Sequence, residues 1–300
     1  MDSSILDRQH LAILREVDRS GSLTAAAERL NLTQSALSHA MRKFEERHGV
    51  AVWQKQGRQL HLTEAGRYLL ALAERLLPQL EQAERALRDF AAGGRGTLRV
   101  GMECYPCQKW LTRIAADYLK AWPGADLDVS TAFRFDGIGA LLGHEIDLLI
   151  TPDPVQRPET TFVPVFDYEL VLAVPDTHRL AEAGVASPAD FTDEDLITFP
   201  VTLDRLDVFT RFLIPAQRRP RRIRTAETTE LMLQLVANGR GVCVVPDWIL
   251  RQDSADLPLR ALRLGPGAGL EKSIHVGFRH GDRDRVHVQG FLALARSAAP

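Results

Sequence analysis

The sequence predicts an α/β protein with a small helical head, a long connecting helix and a larger domain of alternating strands and helices. Two short amphipathic patterns separated by a tight turn lie within residues 22–44. A third pattern of apolar residues at helical spacing runs from Glu64 to about Ala91. Strand-like and helix-like segments alternate after Gly96, which is typical of an α/β domain. We therefore expect a head over residues 1–63, a linker helix over residues 64–92 and an α/β domain from residue 96 onward.

The head contains two predicted helices whose starts are marked by capping residues. Ser22 is a suitable N-cap for the first helix and Thr33 for the second, with Asn31 and Leu32 forming the turn between them. The apolar side of the first helix consists of Leu23, Ala26, Ala27 and Leu30, and that of the second of Ala36, Leu37, Ala40, Met41 and Phe44. The other side of the second helix carries Gln34, Ser35, Ser38, His39 and Arg42.

Two interpretations of this polar helix face are open from these residues alone. An ordinary helical hairpin would expose the same side chains to water. A DNA-recognition helix would place them in the major groove, where Gln bonds adenine edges, Ser either kind of edge, and Arg guanine or phosphate. The caps Ser22 and Thr33 stand at helix N-termini, which favour a phosphate. We therefore include both caps with the polar face in the predicted DNA-binding set.

A predicted β-hairpin follows the second helix directly. Its two strand patterns, residues 50–53 and 60–63, flank a polar tip. A hairpin in this position is a wing, and its basic residues Lys55 and Arg58 would contact the DNA backbone or the minor groove. Exposed basic hairpins are common in proteins, so the hairpin alone is weak evidence for DNA binding. Its position directly after the predicted recognition helix supports DNA binding. The sequence therefore predicts a winged helix-turn-helix.

The composition indicates the cellular compartment of the protein, but it does not decide whether the protein binds nucleic acid. The chain has 300 residues, 45% of them hydrophobic, and a formal net charge of −2, so global charge neither supports nor opposes nucleic-acid binding. It has no run of about 18 apolar residues and no signal-peptide pattern, so we expect a soluble cytoplasmic protein without a membrane partner. Three cysteines, an odd number, argue against a disulfide framework and fit a reducing compartment.

The predicted linker helix carries one apolar stripe along its length. The stripe consists of Leu69, Leu72, Ala73, Leu76, Leu80, Ala83 and Leu87. A second copy of the chain covering this stripe would make a homodimer or a homotetramer, whereas packing on the chain's own head is the alternative. Pro78 predicts a kink or a break near the middle of the helix.

The segment TAAAERLNLTQSALSHAMRKFEERHGVAVWQKQGRQLHLTEAG resembles the N-terminal signature of the LysR-type transcriptional regulators. It differs at Phe44, His48, Trp53 and Lys55, where that family more often has Leu, Leu, Phe and Arg. The resemblance implies DNA-binding regulators whose linker helices pair two subunits on a pseudo-palindromic site, and which act together with RNA polymerase. It also implies an α/β domain of two lobes like those of periplasmic solute-binding proteins, with a small-molecule effector between them. The lobes would comprise residues 96–166 with 270–300, and residues 167–269.

Nine segments of the α/β domain are candidate strands. They are LRVGM, DLDVSTAF, DLLITP, TFVPVF, YELVLAVP, DLITFP, RIRTAE, GVCVVP and SIHVGF. Their alternation with amphipathic helices predicts a mostly parallel sheet. Ligands of such sheets lie at the carboxyl ends of the strands, which places the effector in the cleft between the lobes.

Cys104 and Cys107 lie where the first of these strands passes into a helix. A helix N-terminus stabilises a thiolate, so the pair could be a redox motif. A full oxidoreductase is disfavoured, because thioredoxin folds are small and have no DNA-binding head, but a redox sensor remains open. Zinc is disfavoured because Cys243 lies on a distant strand and no Cys/His pair has the spacing of a structural site.

The cleft segments ECYPCQKWLT, FDYE and FPVTLDRLDVF are similar to those of the LysR-type regulators of methionine biosynthesis. That resemblance implies homocysteine as the effector and methionine biosynthesis genes as targets, with activation among the outcomes. For the effector carboxylate we predict the helix N-terminus after Cys104, together with Arg205. For the ammonium group we predict Glu103, Asp167 and Asp207. The predicted lining of the thiol arm is Cys104, Cys107, Phe133, Phe166 and Tyr168, and Tyr105 completes the effector set.

Simpler roles remain open for several of these residues. Arg205 and Asp207 could form a surface ion pair, Asp167 could be a turn residue, and the phenylalanines could belong to the core. The basic run QRRPRRIR, residues 217–224, is interpreted as a solvated loop, with a tetramer or DNA-backbone contact as the alternative.

Nothing in the sequence predicts catalysis, a metal site or a resident cofactor. The chain contains no HExxH and no GxSxG motif, and residues 239–241 lack the remaining parts of a phosphate-binding loop. The sequence therefore favours a ligand-responsive transcription regulator that is not an enzyme. A redox-responsive regulator that senses through Cys104 and Cys107 is the alternative.

Overall fold

The computed structural model describes residues 6–56, 59–91, 96–131, 136–252, 256–267 and 269–300. The chain falls into two compact units, which meet in sequence between Gly96 and Thr97. We call them the N-terminal unit and the C-terminal unit.

Three helices form the core of the N-terminal unit. They are α1 (Arg8–Ser20), α2 (Leu23–Arg29) and α3 (Gln34–His48). The Ser22 hydroxyl accepts the backbone N–H of Ala25, and the Thr33 hydroxyl accepts that of Ala36, so both predicted N-caps are present. Between α2 and α3, Asn31 has φ 55°, a left-handed conformation that Asn tolerates better than most residues.

The residues predicted on the apolar faces of α2 and α3 pack in this core, except for one alanine of α3. Ala26, Ala27, Leu37, Met41 and Phe44 are buried, together with Ile13, Leu14 and Val17 of α1. Ala36, which we had placed on the apolar face of α3, is exposed. It lies in the first turn of the helix, where its backbone N–H bonds to the Thr33 cap.

An antiparallel hairpin of β1 (Trp53–Gln56) and β2 (Gln59–Leu62) follows α3. Thr63 then connects β2 to α4 (Glu64–Ala91). The Thr63 hydroxyl donates to the Ala51 carbonyl at 2.6 Å and accepts the Gly66 backbone N–H at 3.1 Å. These bonds hold the first turn of α4 against the chain that enters the hairpin.

Replacing Gly66 by Ala is expected to destabilise the N-terminal unit by about 1–3 kcal/mol, because overpacking forces backbone shifts. A Cβ on Gly66 would lie 1.9 Å from the backbone oxygen of Val52, which no side-chain rotation relieves. The roughly 0.5–1 kcal/mol that Ala gains over Gly within a helix does not compensate. Thermal unfolding followed by circular dichroism measures the effect. Gly281→Ala is the control, since its Cβ would meet no atom within 4 Å, and equal stability of the two variants would contradict the prediction.

The linker helix α4 is one continuous helix that includes Pro78, so the break that Pro78 predicted is not present. Its first half packs on α1, with Ala73 and Leu77 buried against Leu11. Arg15 of α1 pairs with Glu81 at 2.5 Å, and Arg8 pairs with Glu84. Leu80 and Leu87, from the second half of the predicted stripe, are 43% and 66% exposed. The stripe is therefore covered by the chain itself only in part.

The C-terminal unit contains one mixed sheet of ten strands. Its strands are β3 (Thr97–Met102), β4 (Asp126–Ser130), β5 (Leu148–Thr151), β6 (Thr160–Pro175), β7 (Val185–Ala186), β8 (Asp195–Thr198), β9 (Arg222–Thr225), β10 (Val242–Pro246), β11 (Leu259–Leu264) and β12 (Leu270–Arg279). Eight of them follow the order β4-β3-β5-β12-β6-β10-β8-β9, and β11 pairs with β6 and β7. The helices are α5 (Gln108–Ala121), α6 (Gly137–Leu142), α7 (Thr229–Ala237), α8 (Asp247–Gln252) and α9 (Val286–Ser297).

The sheet differs from the prediction in three respects. The segments TFVPVF and YELVLAVP form the single 16-residue strand β6 and not two strands. Strands β7 and β11 were not predicted. The sheet is also more evenly mixed than predicted, with five parallel and four antiparallel strand pairings among the described residues, because β6 pairs antiparallel with β10, β11 and β12, and β12 with β5. The antiparallel strands β6 and β12 are long and pair with each other at the centre of the sheet. β12 also borders the parallel group of β3, β4 and β5, and β6 borders that of β8, β9 and β10.

Two parallel groups of strands end near each other and position the site. In the first half β3 runs parallel to β4 and β5, and in the second half β8 runs parallel to β9 and β10. The loops that follow β3, β5 and β8, together with residues at the carboxyl end of β10, line a common cavity. This is the place where open α/β sheets bind ligands.

Candidate functional site

The polar face of α3 presents most of the predicted DNA-binding residues to solvent. Gln34, Ser35, His39 and Arg42 are exposed, and Ser38 is half-buried beside the core residues of the same helix. Leu37 and Met41, on the other side of α3, are fully buried and fix the orientation of the polar face. The arrangement is a row of hydrogen-bonding side chains on a helix whose buried face is fixed, as major-groove recognition requires.

The remaining predicted DNA-binding residues fall into two groups. Ser22 and Thr33 cap α2 and α3, and Thr33 also bonds the Ser35 hydroxyl at 3.1 Å. Lys55 belongs to β1 of the hairpin. Arg58 lies outside the described residues.

A cavity of the C-terminal unit lies at the strand ends described above. It encloses about 810 Å³ of empty space, part of it open to solvent. Its polar lining consists of Glu103, Asp153, Thr198, Arg205, Asp207 and Lys272, with Tyr105 and Tyr168. Its remaining lining is Cys104, Pro106, Pro152, Leu170, Leu196, Phe199, Val201, Leu206, Val208, Val244 and Pro246. Charges of both signs therefore face a largely apolar space.

The structure brings six of the ten predicted effector residues together in this cavity. They are Glu103, Cys104, Tyr105, Tyr168, Arg205 and Asp207. Cys107 is fully buried and does not line the cavity, although it is bonded to Cys104, which does. Phe133 lies outside the described residues.

Phe166 and Asp167 are on β6 but not in the cavity lining, so neither is retained as an effector contact. Phe166 packs edge-on against Trp110 and Trp248, with ring centroids 5.2 and 6.1 Å away, and is therefore a core residue. Asp167 is exposed and accepts a hydrogen bond from the Ser273 hydroxyl of the adjacent strand β12. Asp167 is thus a strand residue and not the turn residue that its simpler interpretation suggested.

An ion cluster on the cavity wall was not predicted from the sequence. The Lys272 ammonium lies 2.6 Å from an Asp153 carboxylate oxygen and 2.5 Å from an Asp207 oxygen. Asp207 also pairs with Arg211 at 3.4 Å. Asp153 follows β5 and Asp207 follows β8, so Lys272 joins groups from both halves of the unit. No motif marked Lys272 or Asp153, although Asp153 directly follows a predicted strand, which was the available signal.

The surroundings of three cavity residues constrain their position or their charge. Glu103 accepts the Gly137 backbone N–H at 2.8 Å, which joins the end of β3 to the start of α6. Burial raises the pKa of Tyr168, and the carboxylates of Asp207 and Asp153 raise it further, so Tyr168 remains a neutral hydroxyl. Tyr105 stacks on Phe199 with ring centroids 4.8 Å apart, which places an aromatic pair between the loops after β3 and β8.

Cys104 and Cys107 form a disulfide. The odd number of cysteines argues against a disulfide framework, but two of the three are paired, at the position where a redox motif remains open. A turn of 3-10 helix, Tyr105–Cys107, brings the two residues together, with the Cys107 N–H donating to the Cys104 carbonyl at 3.1 Å. Cys243 on β10 is free and fully buried, and burial raises the pKa of its thiol to about 12.

Other predicted features have structural roles. Arg218, Arg219, Arg221 and Arg222 of the basic run are exposed, and Arg221 pairs with Asp195 at 2.9 Å. Gly239 has φ 67° and directly follows Asn238, the C-cap of α7, in the left-handed conformation that glycine often adopts after a helix. In the described parts of the chain, no three His, Cys, Asp or Glu side chains are grouped so that they could hold a metal ion. No helix there has the length and apolar character needed to cross a bilayer.

Comparison with known families matches both units. Residues 8–67 match the model of the bacterial regulatory helix-turn-helix proteins of the lysR family. Residues 91–300 match the LysR substrate binding domain. The chain is also 33% identical to the HTH-type transcriptional regulator MetR of Haemophilus influenzae, over 99% of this chain and 96% of that protein.

Solved structures agree with these matches. The regulatory domain of MetR from N. meningitidis, a LysR family regulator, superposes with a TM-score of 0.63 and 31% identity, covering 68% of this chain and 93% of that one. Full-length CbnR in complex with its target DNA superposes with a TM-score of 0.67, covering 98% and 100% of the two chains. At 22% identity, CbnR supports the fold alone. The helix-turn-helix head, the two-lobed α/β unit and these matches together show that the chain is a member of the LysR family of DNA-binding transcriptional regulators and is similar to MetR.

Proposed function

We propose that the chain regulates methionine biosynthesis genes in response to homocysteine bound in the cavity between the two lobes. The observation that carries the proposal is a cavity with both signs of charge and a cysteine in its lining, within a chain similar to MetR. Homocysteine has a carboxylate, an ammonium group and a short thiol arm, and each needs a different surface. Regulation requires no catalysis, and we propose no enzymatic activity and no resident cofactor.

The charged groups are arranged for a zwitterion. Arg205 and Lys272 are the cations available to the carboxylate, and the N-terminus of α5 after Cys104 adds backbone N–H groups without a side-chain cap. Glu103, Asp153 and Asp207 are the carboxylates available to the ammonium group. A zwitterionic ligand can bind Lys272 through its carboxylate and Asp153 or Asp207 through its ammonium group, so every charged group keeps a partner of opposite charge. A ligand with a single charge would leave one of these groups without a partner.

The thiol arm fits the apolar part of the cavity. Cys104, Tyr105 and Phe199 lie on one side, and Tyr168 lies on β6. Sulfur makes favourable contacts with aromatic edges. We therefore infer that the arm points toward the stacked pair of Tyr105 and Phe199.

The response to the effector passes from the cavity to the DNA through paired subunits. Lys272 joins Asp153 and Asp207 from the two lobes, so a ligand that displaces these contacts changes how the lobes are held. The exposed Leu80 and Leu87 of α4 offer the surface on which a second copy packs. A homodimer or homotetramer in the cytoplasm would then present two α3 helices to two half-sites, and the change would alter DNA bending or RNA polymerase contact.

Isothermal titration of the fully reduced protein with homocysteine tests the effector assignment. Saturable binding well above that of methionine, cysteine and homoserine is expected, because each control alters the sulfur or the length of the arm. Equal weak binding of all four compounds by a protein that still binds DNA would contradict the assignment. DNase footprints with and without homocysteine test the response, and identical footprints with unchanged transcription would contradict the mechanism.

Replacing Arg205 by Met is expected to weaken homocysteine binding by roughly tenfold or more, because a charged hydrogen bond contributes about 1.5–3 kcal/mol. Arg211→Met is the matched control: Arg211 pairs with Asp207 but does not line the cavity. Titration of both variants under identical conditions measures the difference. Equal affinities would remove Arg205 from the carboxylate site.

Redox control is the second candidate function, and the Cys104–Cys107 disulfide favours it. In this hypothesis oxidation state alone changes DNA binding or transcription. Replacing both cysteines by Ser should abolish a response to oxidant but only weaken a response to homocysteine. Footprints of the oxidised and reduced wild-type protein that are identical in the absence of homocysteine would contradict this candidate.

A further inference from the structure

The wall of the effector cavity contains a disulfide of which one cysteine lines the cavity. Cys104 lines the cavity, whereas Cys107 has no solvent exposure. The proposed effector is itself a thiol. A reactive thiol would therefore be bound beside a disulfide, and the cavity would favour reaction at Cys104.

We propose that the Cys104–Cys107 disulfide is a covalent acceptor for a small aminothiol, and that the effector is captured as a mixed disulfide on Cys104. This inference rests on the proposed function. The thiolate of the aminothiol attacks the Cys104 sulfur, a new S–S bond forms, and the Cys104–Cys107 bond breaks. Cys107 leaves with the bonding electron pair and takes up the proton that the aminothiol lost. One disulfide replaces another, so no further oxidant or reductant is needed.

The fold favours Cys107 as the leaving sulfur. Cys107 stands immediately before α5, a helix of 14 residues, at its N-cap position. The partial positive charge of a helix N-terminus stabilises negative charge that develops on the departing sulfur. The Cys107 N–H donates to the Cys104 carbonyl, so a backbone contact joins the two residues in addition to the disulfide. The 3-10 turn can therefore keep Cys107 close enough to reverse the reaction.

The charged lining makes the exchange selective. Arg205, Lys272 and the facing carboxylates would hold the amino and carboxylate groups of an aminothiol and raise its local concentration beside Cys104. An uncharged thiol such as mercaptoethanol lacks these contacts. Exchange with homocysteine is expected to be roughly tenfold faster or more, the factor that one charge-assisted hydrogen bond supplies. Homoserine, which has a hydroxyl group in place of the thiol, should form no adduct.

Mass spectrometry of the full-length oxidised protein tests the proposal. The protein is incubated with homocysteine, homoserine or mercaptoethanol, quenched with acid, alkylated and digested. Homocysteine is expected on Cys104 and the alkyl group on Cys107, with the buried Cys243 as the internal control. Adduct on Cys107, or equal rates for homocysteine and mercaptoethanol, would overturn the proposal.

Single variants identify the accepting sulfur independently. With homocystine as the probe, Cys107→Ser leaves the Cys104 thiol free and should give a stable adduct, since no second thiol can reverse it. Cys104→Ser is the matched control and should remain unmodified, because Cys107 is buried. Modification of the second variant and not the first would overturn the assignment.

The two levels of inference fail in different ways. If reduced protein binds homocysteine by calorimetry and oxidised protein forms no adduct, the covalent step is wrong and the effector assignment stands. If reduced protein does not bind homocysteine, the effector assignment is wrong. In that case, a homocysteine adduct on Cys104 would reflect unselective thiol–disulfide exchange and not capture of an effector.

Discussion

Replacing Arg42 by Ala is expected to weaken specific DNA binding by about 1–3 kcal/mol, or roughly tenfold to 100-fold. Arg42 is exposed on the polar face of α3, in line with Gln34 and Ser38 at four-residue steps. An Arg in this position contacts guanine or phosphate in the major groove. Fluorescence anisotropy measures affinity for a duplex that the wild-type protein selects from a random pool.

Arg47→Ala is the matched control for Arg42→Ala. Both residues are exposed arginines of α3, so the two variants change net charge equally. Arg47 lies five residues further along, which places it about 140° around the helix axis and off the polar face. We expect Arg47→Ala to retain most of the affinity. Equal losses in the two variants would show that only charge matters and would contradict recognition by this face.

Salt dependence distinguishes the two contacts that Arg42 can make. If Arg42 binds a phosphate, its loss should weaken binding to all sequences and lower the slope of log affinity against log salt by about 1. If Arg42 binds a base edge, its loss should relax the sequence preference at one position of each half-site. Gln34→Ala should act in the second way, because an uncharged amide releases no counterion.

The head could be predicted closely because local rules determine it. Ser22 and Thr33 cap their helices through hydrogen bonds that span three residues, and the three- and four-residue spacing of apolar positions decides which face is buried. Ala36 shows the limit of such patterns. A small apolar residue in the first turn of a helix is as compatible with solvent as with the core.

The cavity could be predicted only in part because it depends on how distant segments meet. Glu103, Cys104 and Tyr105 follow a strand that the sequence marked clearly, and they line the cavity. Lys272 and Asp153 are 119 residues apart and meet only because β12 pairs with β5 and β6. Spacing along the chain cannot reveal such a pair.

The position of two predicted effector residues outside the cavity lining has a related cause. Alternation along a strand places Asp167 and Tyr168 on opposite faces of the sheet, so both could not line one cavity. Phe166 shares a face with Tyr168, because the shift in the pairing with β12 falls beyond Phe166, between Ile274 and His275. Phe166 packs on Trp110 and Trp248 and does not reach the cavity lining. The merging of two predicted strands into β6 hid this geometry from the sequence analysis.

A buried charge network holds the first lobe together and was also not predicted. Arg279, at the end of β12, pairs with Asp147 at 2.9 Å and Asp282 at 2.6 Å. It also donates to the carbonyls of Leu141 and Ile146 at 2.8 and 2.6 Å. Asp147 binds Arg99 through both carboxylate oxygens. The guanidinium therefore ties β12 to α6 and to the start of β5.

Replacing Arg279 by Met is expected to destabilise the C-terminal unit by about 3–5 kcal/mol, because it leaves two buried carboxylates short of a partner. Arg285→Met is the matched control. Arg285 also pairs with Asp282, at 2.9 Å, but its side chain is 59% exposed, so we expect a loss below about 1 kcal/mol. Urea unfolding at neutral pH measures both variants, and losses of equal size would contradict the importance of burial.

The dependence of this loss on pH provides a second, independent check. Burial alone would raise the pKa of Asp147, but the hydrogen bonds and charge of Arg99, together with the charge of Arg279, lower it below its usual range. A carboxylate with a lowered pKa stabilises the fold above its unfolded pKa of about 4, and that stability is lost as the pH falls through the folded value. In Arg279→Met, the carboxylate of Asp147 keeps only one of its two cations, Arg99. Ionisation of Asp147 therefore stabilises the folded variant less than it stabilises the folded wild type. The stability difference between the two proteins should therefore be full near neutral pH and shrink below about pH 4. A difference that stays constant down to pH 3 would show that the loss comes from packing and from the two carbonyl bonds, and not from the buried charges.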